Sequence, residues 1–81
     1  GSSENTLSGY NQTGISLIKI ADFIDNFDAS SAGAELNKLL ESDDIDWIKK
    51  CVIKRAVEMM NDCRYQDVKN LASAMAEGEK S

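Results

Sequence analysis

The sequence predicts an all-α protein: four amphipathic helices behind a flexible N-terminal arm, packed as a compact four-helix bundle or as an orthogonal array of helical hairpins. Three observations carry this. Apolar residues recur at three- and four-residue steps in four separate stretches. No stretch sustains the period-two alternation of a half-buried strand. The breaks between stretches are only about two to five residues long, the usual length between neighbouring helices.

Each element has its own signals. Residues 1–14 are rich in Ser, Asn, Thr and Gly, with Leu7 and Tyr10 as the large apolar groups, and read as the flexible arm. Gly1-Ser2 reads as a cloning remnant, which leaves room for a longer parent chain. The first helix is expected over residues 15–27, with Thr13 as N-cap and Leu17, Ile20, Ala21, Ile24 and Phe27 as its apolar stripe. A turn at Asp28-Ala29-Ser30-Ser31 precedes a second helix over 31–41, carrying Ala32, Leu36, Leu39 and Leu40 on one face. Gly33 weakens that helix by about 1 kcal/mol relative to alanine, or else permits close packing.

Ser42-Asp43-Asp44 is a cap signal for a third helix over 44–61. At about 100° per residue, Ile48, Val52, Ile53, Ala56, Met59 and Met60 share its broad apolar face, and Lys50, Lys54 and Glu58 lie opposite. Asn61-Asp62-Cys63 breaks it. A fourth helix over 64–77 aligns Tyr65, Val68, Leu71, Ala72 and Met75, and Gly78 stops it. Residues 15–78 thus form one domain, and 79–81 a short C-terminal tail.

With 42% hydrophobic and 28% charged residues in 81, the chain has an ordinary globular composition. A core of this size supplies about 3–5 kcal/mol of net stability. The net charge of −5 is unevenly spread: nine acids face two bases up to Ile48, and five acids face seven bases beyond it. No apolar run approaches 18 residues, so no membrane span is expected, and the first residues lack a signal peptide's charged and apolar regions. On one helix, Cys51 and Cys63 would stand about 18 Å apart along the axis, beyond disulfide reach. Two reduced thiols, Cys51 at a core edge and Cys63 in a turn, suit a cytoplasmic protein.

The composition argues against catalysis. The chain has no histidine, which removes the commonest general base and the nucleophile pairs that depend on it. Two isolated cysteines cannot build a four-thiolate zinc site, and the glycines are too scattered for a phosphate loop. Counted from Asp28, a calcium loop would need ligands where Ala32 and Leu39 stand. The acids Glu41, Asp43, Asp44 and Asp46 are expected to balance a helix dipole at a solvated turn. No cofactor and no metal is therefore expected.

What remains is the stretch DIDWIKKCVIKRAVEMM, which holds Lys49, Lys50, Lys54 and Arg55 within seven positions. Lys50 and Lys54 stack one turn apart with Trp47 beside them, whereas Lys49 and Arg55 fall at opposite margins of the apolar stripe. In one reading Trp47 packs under the preceding turn near Leu39 or Leu40, and the lysines are simply solvated. The other reading is functional: a non-catalytic adaptor or accessory domain that docks a protein partner through Trp47, Lys50 and Lys54, with Met59 and Met60 as a second apolar contact. The alternative is a nucleic-acid-binding (DNA-binding) helical domain using Lys49, Lys50, Lys54 and Arg55 with Arg64 and Lys69 of the fourth helix. Self-association through the Ala-rich end of the fourth helix is a third reading.

Overall fold

Four helices account for nearly all of the computed structural model, which describes residues 9–80: α1 (Gln12–Asp25), α2 (Ala29–Glu41), α3 (Trp47–Asn61) and α4 (Tyr65–Glu77). Each packs on its neighbour in sequence, and α1 closes the ring against α4. The directions follow from which ends meet. Asn11, ahead of α1, bonds Glu79, beyond α4, while Asp25 at the end of α1 pairs with Lys69 near the start of α4. Helices α1 and α4 are therefore antiparallel, and the whole is an up-and-down four-helix bundle. Its shortest dimension, 18 Å, is that of two helix layers at an interaxial distance of about 8–10 Å.

Helix α1 starts earlier than the apolar pattern predicts because its first turn is polar and invisible to periodicity. Asn11, not Thr13, is the cap: its Oδ1 accepts from the Gly14 N–H at 2.9 Å. Tyr10 and Asn11, read from sequence as part of the arm, are tied to the other end of the chain through a Tyr10–Lys80 bridge. The rest of the expected arm, residues 1–8, lies outside the described residues.

Helix α1 also ends earlier than expected. The Asp28 N–H bonds the Phe23 carbonyl at 2.8 Å and the Phe27 N–H bonds that of Ile24 at 3.1 Å, with Phe27 left-handed at φ 60°. That is a Schellman cap. Phe27 therefore leaves the apolar stripe assigned to it and stands 97% exposed. The same cap ends α3: the Arg64 N–H bonds Met59 at 2.9 Å, the Cys63 N–H bonds Met60 at 3.0 Å, and Cys63 has φ 62°. A non-glycine residue in that region costs about 1–2 kcal/mol, which each hairpin recovers by satisfying its carbonyls.

Helix α2 begins at Ala29, where Asp28 Oδ1 accepts from the Ser31 N–H at 3.3 Å. Helix α3 begins at Trp47 rather than 44, because Ser42 Oγ binds the Asp44 N–H at 3.3 Å and holds that segment in a turn. The same loop delivers Ile45 into the core. The core comprises Leu17 and Ile20 of α1, Ala32, Leu36 and Leu39 of α2, Ile45 of the loop, Ile53 and Ala56 of α3, and Val68, Ala72 and Ala76 of α4. Four alanines let the helices approach closely.

The two helical glycines differ in kind. A β-carbon at Gly14 would lie 3.0 Å from Glu79 Cβ and 3.0 Å from Tyr10 Cδ1, so glycine there allows the chain ends to close over α1. A β-carbon at Gly33 meets nothing within 4 Å, so close packing is not the reason for it. Gly33→Ala is expected to stabilise by about 0.5–1 kcal/mol, whereas Gly14→Ala gives no such gain. Thermal melts of the two variants check the contrast.

Candidate functional site

On helix α3 the buried side is centred on Ile53 and Ala56. Turning at about 100° per residue, the opposite side presents Trp47, Cys51, Lys54, Arg55 and Glu58, all exposed. Trp47 is 74% exposed, so it does not pack under the turn near Leu39 or Leu40. Ile48, placed on the apolar face by its spacing, is 62% exposed. The actual core arc is rotated toward Ile53 and Met60, which leaves Ile48 beyond its margin. Cys51 is exposed rather than at a core edge, and Cys63 is exposed in its turn. Lys50 is half-buried beside Trp47.

The bases predicted as one group divide into two. Lys49 lies on the inner arc, where its ammonium pairs with the buried Glu79. Arg64 pairs with Asp67 at 2.7 Å and Lys69 with Asp25 at 2.5 Å. These three are already neutralised and add little to a phosphate-binding surface. Lys50, Lys54 and Arg55 have no carboxylate partner among the described residues and remain on the Trp47 side of the helix.

The methionines lie elsewhere. Met59 and Met60 are half-buried against the core, and Met60 lies about 20 Å along the helix axis from Trp47. The structure therefore does not join them to the Trp47 surface. Met60, Val57 and Tyr65 instead wall a groove of about 520 Å3 whose other side is Ala29, Gly33 and Ala34 of α2. A second hollow of about 420 Å3 adjoins it, lined by Ile24, Asp25, Phe27, Ala29, Tyr65 and Gln66. This apolar turn end was missed in the sequence because Phe27 matched the helical stripe. Its neighbours Asn26 and Asp28, both turn formers, were the available signal.

The opposite end holds a polar clasp that sequence reasoning also missed. Glu79 is only 6% exposed; it accepts from Asn11 Nδ2 at 2.6 Å, pairs with Lys49, and its backbone carbonyl accepts from the Asn11 N–H at 3.2 Å. The Lys49 ammonium and the Asn11 amide hold the Glu79 carboxyl below its usual range, and the Glu79 bond raises Lys49. Lys80 lies 5.8 Å from the Tyr10 ring centre, closing the same end.

Among the described residues no group of three or more His, Cys, Asp or Glu is placed to hold a metal ion, and no helix is long and apolar enough to cross a membrane. The small residues of α4 are used internally: Ala72 and Ala76 are buried, leaving Ser73 and Ala74 exposed. Fold and surface together define a small four-helix bundle with a charged, Trp-bearing outer face on α3. Comparison with protein families, curated proteins and solved structures finds no match to this chain.

Proposed function

We propose that the chain is a non-catalytic interaction module, an adaptor or accessory domain that docks an acidic segment of another protein on the outer face of α3. The observation that carries this reading is the exposure of Trp47 and Ile48 side by side at the start of the helix. Exposing both large side chains forgoes roughly 1.5–3 kcal/mol of burial apiece in the monomer, and tryptophan is the residue most often found at the energetic centre of protein interfaces. Lys50, Lys54 and Arg55 surround that anchor without internal partners among the described residues, which favours a partner of negative charge. Glu58 farther along the face, and Asp43, Asp44 and Asp46 in the preceding loop, bound the basic region and set its orientation.

A random peptide-display library panned against the full chain tests this. Acidic sequences with an apolar anchor are the expected survivors, and Trp47→Ala combined with Lys54→Glu should weaken them by about tenfold or more. Survivors that bind wild type and the double variant equally, or no survivors at all, would remove the proposal. A parallel titration with single-stranded and duplex oligonucleotides uses Trp47 emission. Quenching that weakens steeply with salt would replace the protein-docking reading by the nucleic-acid one.

A further inference from the structure

The clasp at Glu79 joins three segments that lie far apart in the chain, and the docking face does not use it. Asn11 employs one side chain twice: its Oδ1 caps α1 through the Gly14 N–H, and its Nδ2 donates to the Glu79 carboxylate at 2.6 Å. The Glu79 carbonyl accepts from the Asn11 N–H at 3.2 Å, and Gly14 leaves room for the Glu79 Cβ. From the other side the Lys49 ammonium reaches the same carboxylate. Lys49 belongs to the first turn of α3, the turn that presents Trp47 and Ile48.

That turn has little else to hold it. Its N-cap residue, Asp46, makes no side-chain cap hydrogen bond, whereas Asn11 and Asp28 cap α1 and α2 in this way. No residue from 47 to 52 is buried, and the core contacts on either side are Ile45 in the loop and Ile53 farther along the helix. Among the described residues, the ion pair that ties this turn to another part of the bundle is that of Lys49 with Glu79. Helix ends with few buried apolar contacts are where local opening begins. We infer that Glu79 is a latch for the first turn of α3: it keeps that turn wound, so that the clasped segments at residues 10–11 and 79–80 and the exposed Trp47 and Ile48 open and close as one unit.

The latch acts through position and not through contact with Trp47. With Glu79 in place Lys49 is pinned inward, and at about 100° per residue the helix then sets its two predecessors toward the outside. When the segment at 79–80 leaves, Lys49 turns to water and neither Trp47 nor Ile48 is buried to keep the turn wound. The link is reciprocal, so loosening the turn loosens the clasp by the same factor. If the docking reading holds, release of Glu79 weakens docking; that consequence alone rests on it.

Amide hydrogen exchange of the full chain at pH 7, followed by NMR, reads each segment separately. Glu79→Gln keeps the size and an oxygen for Asn11, and removes the charge that Lys49 pairs with. The N–H of Lys50, which bonds the Asp46 carbonyl, and those of Cys51 and Val52 after it should then exchange about 5–30-fold faster. The N–H groups of Asp28 and Arg64, which close the caps at the opposite end, should exchange as in wild type. Lys49→Met, which removes the ammonium and keeps most of the stem, should speed the Asn11 N–H that bonds the Glu79 carbonyl. Unchanged exchange at residues 50–52 in Glu79→Gln overturns the inference, as does unchanged exchange at Asn11 in Lys49→Met. An equal rise at Asp28 and Arg64 also overturns it, because the clasp would then brace the whole bundle and not one turn. Exchange does not read peptide binding, so this outcome is separate from that of the docking test.

Discussion

Ile53→Ala is expected to remove most of the stability of the bundle. Ile53 is fully buried at the centre of the inner arc of α3, and truncating such a residue costs about 2–5 kcal/mol through lost transfer energy and the cavity left behind. A domain of this length holds only about 3–5 kcal/mol in reserve. With about 4–8 °C of melting temperature per kcal/mol, the midpoint should fall by roughly 8–40 °C. Ile48→Ala, two residues inside the same helix but 62% exposed, should move stability by no more than about 0.5 kcal/mol. Thermal and urea unfolding of the two variants separates the structural arc from the sequence stripe. Equal losses would mean that α3 is rotated from the position described.

Glu79→Ala is the second large effect. It removes a carboxylate that is screened from water by its own partners and leaves Lys49 and the Asn11 amide without an acceptor, at a cost of about 1.5–3 kcal/mol for charge-assisted bonds. The pH dependence has a definite sign. The folded Glu79 carboxyl titrates below its ordinary value of 4.5, held there first by the bond from Lys49 and then by that from Asn11. Its contribution is therefore fully present above pH 4.5 and is lost as pH falls through the lower folded value. Lys49 mirrors this: raised above 10.5, it contributes below that pH and is lost as pH rises through the higher folded value. Denaturant midpoints at pH 7, 4.5 and 3 should show wild type converging on Glu79→Gln toward the acid end. A constant difference across that range would assign the stabilisation to shape and not to charge.

Much of the fold was legible in local pattern. Leu17, Ile20, Ala32, Leu36, Leu39, Ile53, Ala56, Val68 and Ala72 all fall on the stripes that spacing predicts, and all are buried. Boundaries were less legible where polar chemistry decides them. The Asn11 cap, the Ser42–Asp44 turn and the two Schellman caps rest on individual hydrogen bonds that leave no periodic trace. Periodicity also centres a stripe only to within about a residue, which is why Ile48 falls inside the expected one; Phe27 falls inside because the cap that ends α1 ahead of it leaves no periodic trace.

The candidate sites were less legible still. That Trp47 borders solvent depends on the rotation of α3, which its packing between α2 and α4 sets and its own sequence does not. That two of the six candidate bases are spent on Glu79 and Asp25 depends on which ends meet: Lys69 reaches Asp25 across 44 positions, and Lys49 reaches Glu79 across the bundle, whereas Arg64 and Asp67 are a local pair three positions apart.

By itself the sequence determined that residues 15–78 form four amphipathic helices and that the chain lacks histidine-based and four-thiolate chemistry, because both follow from residue type and spacing alone. Tertiary structure decided the ring order, the buried clasp at Glu79, the exposure of Trp47, and the exposed Phe27 beside its hollow. Each of these is a relation between segments far apart in the chain. Such relations are fixed by how cores close and by which polar groups find partners when they do.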